Sequence, residues 1–160
     1  FPQRLVRDGH PLPPGRQPPQ IDVRFATSEY FKTLGQPIVN GRAFAPSDTL
    51  TAPGVAIVNQ AAAKQFWPGE VPVGTRIAGN GPGQFRTIVG VVADVRQQLD
   101  RPPKAEVYVP VAQTVNIGMT WVVHSRLPID DATRQIKAVS HAHDSDLPVS
   151  SFRTLAEVRS

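Results

Sequence analysis

The order of hydrophobic and polar residues along the chain predicts about eight strands. Ile21, Val23 and Phe25 alternate with polar residues, which is the period-two pattern of a strand with one buried face. Residues 55–58 are all apolar, as in a strand that is buried on both faces. Further strands are predicted at residues 37–40, 76–78, 85–95, 106–109, 119–124 and 149–152.

Two short helices are predicted from their capping residues and from the glycine or proline that follows them. The first begins after Thr27 or Ser28, whose hydroxyl can cap it, and ends at Gly35. The second follows Asn59, a favourable cap, and covers residues 60–67 before a Pro-Gly pair. Both carry aromatic residues on one side, so we expect each to pack against the sheet.

The longest predicted helix runs from a cap at Asp130 to about residue 143 and carries two neighbouring histidines near its end. His141 and His143 are metal-ligand types, but positions i and i+2 of a helix point about 200° apart. We therefore predict no metal site there. His143 is expected to be partly buried beside the apolar face, and His141 to be exposed.

Strands and helices in mixed order, with several links of hairpin length, predict an α+β (mixed α/β) fold with a largely antiparallel sheet. A last helix opens at Thr154 and Glu157, which have the spacing of a capping box. Residues 1–20 differ from the rest, because six of the 17 prolines lie there without any periodicity. They are predicted to be a proline-rich loop or linker.

Composition narrows the possible partners and compartments. Lys and Arg exceed Asp and Glu by 17 to 13, but the basic residues are dispersed and aromatic residues make up only 7%, so no nucleic-acid partner is predicted. The lack of cysteine excludes disulfides and thiolate catalysis. No apolar run approaches the roughly 20 residues that span a bilayer. The chain begins without methionine or a signal peptide, so we expect a piece of a longer protein.

The sequence carries no motif for catalysis or for nucleotide binding. It has no Gly-x-Ser-x-Gly turn, and the glycine-rich residues 79–83 join two predicted strands without the helix of a phosphate loop. Acidic pairs at 130–131 and 144–146 lie at helix ends, where capping and the helix dipole explain them. Trp67 and Trp121 are expected in the core or at a contact between subdomains. No catalytic residue, cofactor or metal is predicted.

The long loop after the second strand is predicted to need a tether. Arg42 and Asp48 lie at its start and middle, and a guanidinium can hold a carboxylate in a fixed geometry. We therefore predict a contact between these two side chains that braces the loop.

A series of short motifs occurs along the chain in a defined order. The series consists of residues 28–35 (SEYFKTLG), 41–44 (GRAF) with Asp48, 55–59 (VAIVN), 66–69 (FWPG), 72–77 (PVGTRI), 89–96 (VGVVADVR), 106–110 (EVYVP) with Gln113, and 144–149 (DSDLPV) with Arg153 and Thr154. In this order and spacing it resembles the MacB-like periplasmic core domain of ABC transporter permeases, in the FtsX/MacB family. It is most similar to the branch of permeases that carry the domain in duplicate.

The resemblance implies which positions have structural or coupling roles and how the domain is divided. The motif positions are Tyr30, Phe31, Gly41, Arg42, Phe44, Asp48, Asn59, Trp67, Pro68, Gly74, Gly90, Asp94, Tyr108, Pro110, Gln113, Asp144, Pro148 and Thr154. The resemblance covers residues 21–160. It implies a porter-like α/β part at 21–53 and 104–160, and a smaller β-rich insertion at 54–103.

The resemblance also implies a function without catalysis. The expected domain lies on the periplasmic side of the bacterial inner membrane, between the first two transmembrane helices of a permease, and the last helix is expected to continue into the second. It would couple ATP-driven helix motion to substrate export or to a periplasmic adaptor or envelope protein, while a separate subunit or domain binds ATP. The alternative is a periplasmic module for a small molecule or lipid, which needs a deep apolar pocket.

Overall fold

Seven strands, four α-helices and one short 3-10 helix (Val111–Gln113) are present in the residues that the computed structural model describes, 2–78, 84–95, 102–114, 120–146 and 149–159. The strands are β1 (Pro2–Arg4), β2 (Gln20–Ala26), β3 (Ile38–Gly41), β4 (Val55–Asn59), β5 (Arg76–Ala78), β6 (Phe85–Val92) and β7 (Glu106–Pro110). The helices are α1 (Tyr30–Thr33), α2 (Gln60–Phe66), α3 (Ile129–His143) and α4 (Leu155–Arg159).

The seven strands form one mixed sheet. Its order is β1-β2-β7-β4-β6-β3, and β5 pairs with the beginning of β6. The pairs β2/β7 and β4/β6 are parallel, whereas β1/β2, β3/β6, β4/β7 and β5/β6 are antiparallel. A mixed, largely antiparallel sheet with helices confirms the predicted α+β fold.

Strand β4 lies inside the sheet because both of its faces are apolar. All five of its residues are buried. Ala56 and Val58 join the cluster that contains Trp67, on one face of the sheet. Val55 and Ile57 join the second cluster, on the opposite face, which contains the aromatic residues around α1. The prediction for residues 55–58 is therefore confirmed.

The sequence predicted the cap of α2 correctly and the cap of α1 incorrectly. Asn59 caps α2 as predicted, since its Oδ1 accepts a hydrogen bond from the Ala62 N–H at 3.0 Å. The predicted cap of α1 at Thr27 or Ser28 is wrong. Those residues form a preceding turn, and the helix starts after Glu29 without any side-chain cap.

The long helix α3 also starts differently from the prediction. Its N-cap is Pro128 rather than Asp130, and the Pro128 carbonyl accepts the Ala132 N–H at 3.0 Å. Asp130 and Asp131 instead lie in the first turn, where their charge suits the positive end of the helix dipole. Both His141 and His143 are exposed, so the predicted partial burial of His143 is wrong.

Strand predictions failed in the C-terminal third of the chain. Neither residues 120–124 nor residues 149–152 form a strand, although both have strand-like sequences. Trp121 is 74% exposed and so does not lie in the core of the described residues, whereas its alternative place at a contact between subdomains stays a prediction. Strand β6 ends at Val92 rather than at residue 95, although the Ala93 N–H still donates to the carbonyl of Pro37, directly before β3.

The N-terminal segment contains a strand that the sequence analysis did not predict. β1 pairs antiparallel with β2, and Leu5 directly after it is buried in the core. The Val6 carbonyl accepts the Ala78 N–H at 2.8 Å, so the segment then follows β5. The division into a linker at 1–20, a porter-like part and an insertion at 54–103 stays a prediction, with β4 and β6 of that insertion in the common sheet.

Candidate functional site

Buried polar side chains are the first place to look for chemistry, because each must be hydrogen-bonded or serve a purpose. Five polar residues in the described part of the chain are buried, namely Gln36, Asp48, Asn59, Glu106 and Gln113. Three of them, Asp48, Asn59 and Gln113, are among the predicted motif positions. Gln36 and Glu106 were missed as sites, and a buried Glu in an apolar strand was the available signal for the second.

Asp48 forms the predicted contact with Arg42. The two guanidinium nitrogens of Arg42 donate to the two carboxylate oxygens of Asp48 at 2.8 and 3.0 Å. The same carboxylate accepts the Ala45 N–H at 2.8 Å. The bond from Arg42, together with the bond from Ala45, holds the pKa of Asp48 below its usual range. The arrangement closes the first part of the loop onto its own backbone.

Gln113 fixes the other end of that loop. Its Oε1 accepts hydrogen bonds from the Val55 N–H at 3.0 Å and from the Arg86 guanidinium at 2.9 Å. Its Nε2 donates to the carbonyls of Thr49 at 3.2 Å and Pro53 at 3.0 Å. One side chain, at the end of the short 3-10 helix after β7, therefore makes hydrogen bonds to β4, to β6 and to the loop between β3 and β4.

Asn59 makes a second junction between elements. Besides capping α2, its Oδ1 accepts the Glu106 N–H at 2.9 Å, and its Nδ2 donates to the Lys104 carbonyl at 2.7 Å. Asp94 adds to the same end of α2, since its Oδ1 accepts the Ala61 N–H at 2.9 Å. The start of α2, the start of β7 and the end of β6 are thus held together.

An aromatic and acidic cluster lies beside α1. Phe31 stacks edge-on against Tyr108 with ring centroids 5.0 Å apart, and lies 6.0 Å from Phe44. The Tyr108 hydroxyl donates to the Glu106 carboxylate at 2.6 Å. Burial and this carboxylate raise the pKa of Tyr108 far above its usual value, so the phenol stays neutral. Tyr30 completes the cluster, with its ring 6.0 Å from that of Tyr108.

Gly41 and Gly90 lie where two strands approach too closely for any side chain. A Cβ built on Gly90 would stand 2.2 Å from the Arg42 carbonyl oxygen. A Cβ on Gly41 would stand 2.2 Å from the Val89 carbonyl oxygen, and its φ of 72° also favours glycine. These motif glycines permit the close approach of β6 to the end of β3, where Gly41 and Gly90 face each other in the antiparallel pair.

Trp67 anchors the end of α2 beneath the N-terminal segment. Its Nε1 donates to the Thr75 hydroxyl at 3.0 Å, and the Arg7 guanidinium lies 5.2 Å from its ring centroid. Burial of Trp67 confirms its predicted place in the core. Arg7 was missed, because its segment has no periodicity that indicates a packed side chain. Gly74 supplies a turn with φ 90° nearby.

The remaining motif positions do not join these clusters. Pro110 ends β7, and the exposed Asp144 accepts the Asp146 N–H at 3.0 Å. Thr154 and Glu157 form the predicted capping box, with the Thr154 N–H donating to Glu157 at 2.6 Å and the Glu157 N–H returning to the Thr154 hydroxyl at 3.2 Å. Pro68 follows Trp67 on the surface. Pro148 and the glycine-rich residues 79–83 lie outside the described residues.

A cavity of about 370 Å³ opens between α1 and the loop after β3. Phe31, Ile38 and Phe44 supply its apolar lining, and the exposed Glu29 and Lys32 lie at its rim. The only buried polar residue in its lining is Gln36, whose Nε2 donates to the Ala93 carbonyl at 2.6 Å and whose buried Oε1 has no hydrogen-bond partner among the described residues. Among the described residues, no group of three or more His, Asp or Glu side chains is placed to hold a metal ion.

Comparison with known proteins gives consistent likenesses. The family described as the MacB-like periplasmic core domain matches residues 6–139. The crystal structure of the periplasmic region of MacB from Actinobacillus actinomycetemcomitans is similar at 16% identity and a TM-score of 0.63, covering 89% of this chain and 63% of that chain. A domain of a permease protein from Porphyromonas gingivalis is similar at 11% identity and a TM-score of 0.59, covering 99% and 77%.

Two further results complete the comparison. The extracellular domain of the noncanonic ABC-type transporter YknZ from Gram-positive bacteria is 19% identical, with a TM-score of 0.48 and coverage of 68% and 50%. No curated protein sequence matched the chain. The family match begins at residue 6, whereas the motif resemblance begins at Ile21. The match therefore includes most of the N-terminal segment. No helix in the described ranges has the length and apolar character that a membrane crossing requires.

Proposed function

Because the chain belongs to the family of MacB-like periplasmic core domains, we propose that it is a non-catalytic part of an ABC transporter permease that couples motion of the membrane helices to events outside the membrane. Its fold is that of the MacB periplasmic region, of which the chain spans 63%. The transmembrane helices of the permease and an ATP-binding subunit or domain are its proposed partners. A periplasmic adaptor or envelope protein is a further one.

The hydrogen bonds made by three buried polar side chains are the observation that supports this proposal. Asp48, Asn59 and Gln113 direct their hydrogen bonds to backbone groups of neighbouring elements and to Arg42 or Arg86. They join strands, loops and a helix instead of converging on one cavity. A rigid unit that transmits displacement needs such cross-connections, whereas an active site needs polar groups free for a substrate.

The alternative of a periplasmic module for a small molecule or lipid rests on the cavity beside α1. Its volume of about 370 Å³ is at the low end of ligand pockets, which hold about 300–1,000 Å³. The charged residues at its rim, Glu29 and Lys32, are exposed, and a charge in water contributes little to binding a small molecule. The hydrogen-bond junctions therefore favour the coupling function.

Labelling of introduced cysteines in the full-length permease tests the proposed location. The chain has no cysteine, so Ser47→Cys on the exposed loop adds one reactive position, once any cysteines elsewhere in the permease are replaced. In spheroplasts, a membrane-impermeant maleimide is expected to label this variant without lysis. Ala62→Cys, at a fully buried position, is the matched control and should react only after unfolding. Labelling of Ser47→Cys only after lysis would contradict a periplasmic domain.

A further inference from the structure

Gln36 differs from the other buried polar residues of the described chain in how its side chain is paired. It is 5% exposed, and its Nε2 donates to the Ala93 carbonyl at 2.6 Å and lies 3.5 Å from the Tyr108 hydroxyl oxygen. Its Oε1 is the one buried side-chain atom of those five residues that has no hydrogen-bond partner among the described residues. An unpaired buried acceptor is costly and uncommon in folded proteins. Oε1 therefore indicates a donor that this part of the chain does not supply.

Gln36 lies in the wall of the cavity of about 370 Å³ between α1 and the loop after β3. The two residues beside its amide nitrogen, Ala93 and Tyr108, lie outside the lining of that cavity. The oxygen is therefore the polar atom of the carboxamide that is left for the cavity. Apolar side chains complete the wall, namely Phe31, Ile38 and Phe44. One unpaired acceptor and an apolar wall are thus combined in one place.

These features define the chemistry of a molecule that fits the cavity. The acceptor is neutral, so a charged ligand would lose hydration there without gaining a counter-charge. The rim residues Glu29 and Lys32 are exposed and opposite in charge, so they do not select a charged ligand either. The volume lies at the low end of ligand pockets, which suits a molecule of one or two rings. Because the acceptor is buried, the ligand has to enter with its donor first.

We propose that this cavity binds a small neutral molecule with an apolar body of one or two rings and a single N–H or O–H donor, which donates to Gln36 Oε1. The bound molecule contacts α1 and the loop after β3 together, and so strengthens the connection between them. The inference goes beyond the proposed coupling function and does not depend on it. A single polar group distinguishes this accessory site from a module built to capture a substrate, which needs several convergent polar groups.

Indole and 1-methylindole are a matched pair of probes, because they share the apolar ring system and only indole has an N–H donor. Isothermal titration of the 160-residue chain is expected to give indole a dissociation constant at least about 10-fold lower than that of 1-methylindole, since one buried hydrogen bond distinguishes them. Absence of indole binding would overturn the proposal. So would equal dissociation constants for the two probes, which would show that the acceptor is not used.

Replacing the acceptor tests whether Gln36 is responsible for the preference. Gln36→Met has a side chain of similar length without the carbonyl oxygen. We expect the ratio of the two dissociation constants to fall to about one in this variant, because neither probe then gains a hydrogen bond. A preference for indole that persists in Gln36→Met would show that its donor meets another group, and would overturn the proposal.

Two alanine positions locate the site without altering Gln36. Ala43→Leu fills part of the cavity and is expected to weaken binding of both probes at least about 10-fold. Ala52→Leu, at a half-buried alanine outside the lining, is the matched control and should bind indole like the native chain. Circular dichroism verifies that each variant is folded. Unchanged binding in Ala43→Leu, or an equal loss in both leucine variants, would place the site elsewhere and overturn the proposal.

Discussion

Asp48 combines an ion pair with a backbone hydrogen bond in one buried carboxylate. Its side chain is 7% exposed, whereas that of Arg42 is 47% exposed. Loss of the carboxylate leaves the Ala45 N–H without its acceptor, so Asp48→Ala should lower the free energy of unfolding by about 1–3 kcal/mol. Arg42→Ala should cost less, about 1 kcal/mol, since water screens the exposed guanidinium. Thermal melts measure both, and unchanged midpoints in both variants would eliminate the brace.

The same carboxylate should make stability depend on acid. Its pKa is lowered by Arg42 and the Ala45 N–H, whereas the pKa of an aspartate in an unfolded chain is about 3.9. A lowered folded-state pKa adds stability that is complete above the unfolded pKa and is lost as the pH falls through the folded value. Urea midpoints of the native chain should therefore fall more steeply below about pH 4 than those of Asp48→Asn. Parallel curves for the two proteins would argue against this contribution.

Gly90 is a position where one methyl group should be costly. The clash of its Cβ is with the backbone oxygen of Arg42, which cannot move without separating β3 from β6. We expect Gly90→Ala to cost about 3 kcal/mol, as for overpacking in a core. Gly69→Ala is the control: its Cβ meets nothing within 4 Å, and only its φ of 74° is unfavourable, which costs about 1 kcal/mol. Denaturant unfolding that gave the two variants equal stability would contradict the close approach.

Elements were predictable from the sequence where local pattern and tertiary environment agree. Strand β4 has apolar residues on both faces and lies inside the sheet, and Asn59 is both a favourable cap and the residue that faces α2. The cap at Thr27 or Ser28 failed because a turn precedes α1, which sequence preference alone does not reveal. The strand prediction for residues 120–124 was wrong for another reason, because a strand forms only where a neighbouring strand can accept and donate its backbone hydrogen bonds.

The two N-terminal caps of α2 and α4 give a matched pair of variants. Asn59→Ala removes the cap of α2 together with the side-chain hydrogen bonds to the Glu106 N–H and the Lys104 carbonyl. The combined loss should be about 2–4 kcal/mol. Thr154→Ala removes the corresponding cap of the exposed helix α4 and should change the unfolding midpoint much less, because that helix contributes no buried residue from its described side chains. Similar losses in the two variants would show that Asn59 acts as a cap alone.

Across the fold, the long-range connections were the least predictable part. The contact of Arg42 with Asp48 followed from their closeness in sequence, and it is present. The four hydrogen bonds of Gln113 reach residues 27 to 64 positions away, and no local pattern encodes them. Strand β1 and the contact of Arg7 with Trp67 were missed for the same reason. The proline-rich segment has no periodic pattern that would indicate which residues it contacts. The motif resemblance marked Gln113 without indicating what it binds.

Motion is proposed to enter and leave the domain through α4, since its capping box fixes where the helix begins. The family resemblance implies that α4 continues into a membrane helix of the permease, and a longer helix is more stable than a short one. Two glycines inserted after Arg159 would interrupt that continuation, whereas the same insertion after Gly15, in the exposed N-terminal loop, would not.

Transport by the full-length permease carrying each insertion, compared at equal expression and with equal cysteine labelling at position 47, decides whether the domain is coupled in this way. We predict that the insertion after Arg159 abolishes transport while the insertion after Gly15 leaves it at the level of the native permease. Transport that survives the insertion after Arg159 would contradict coupling through this helix.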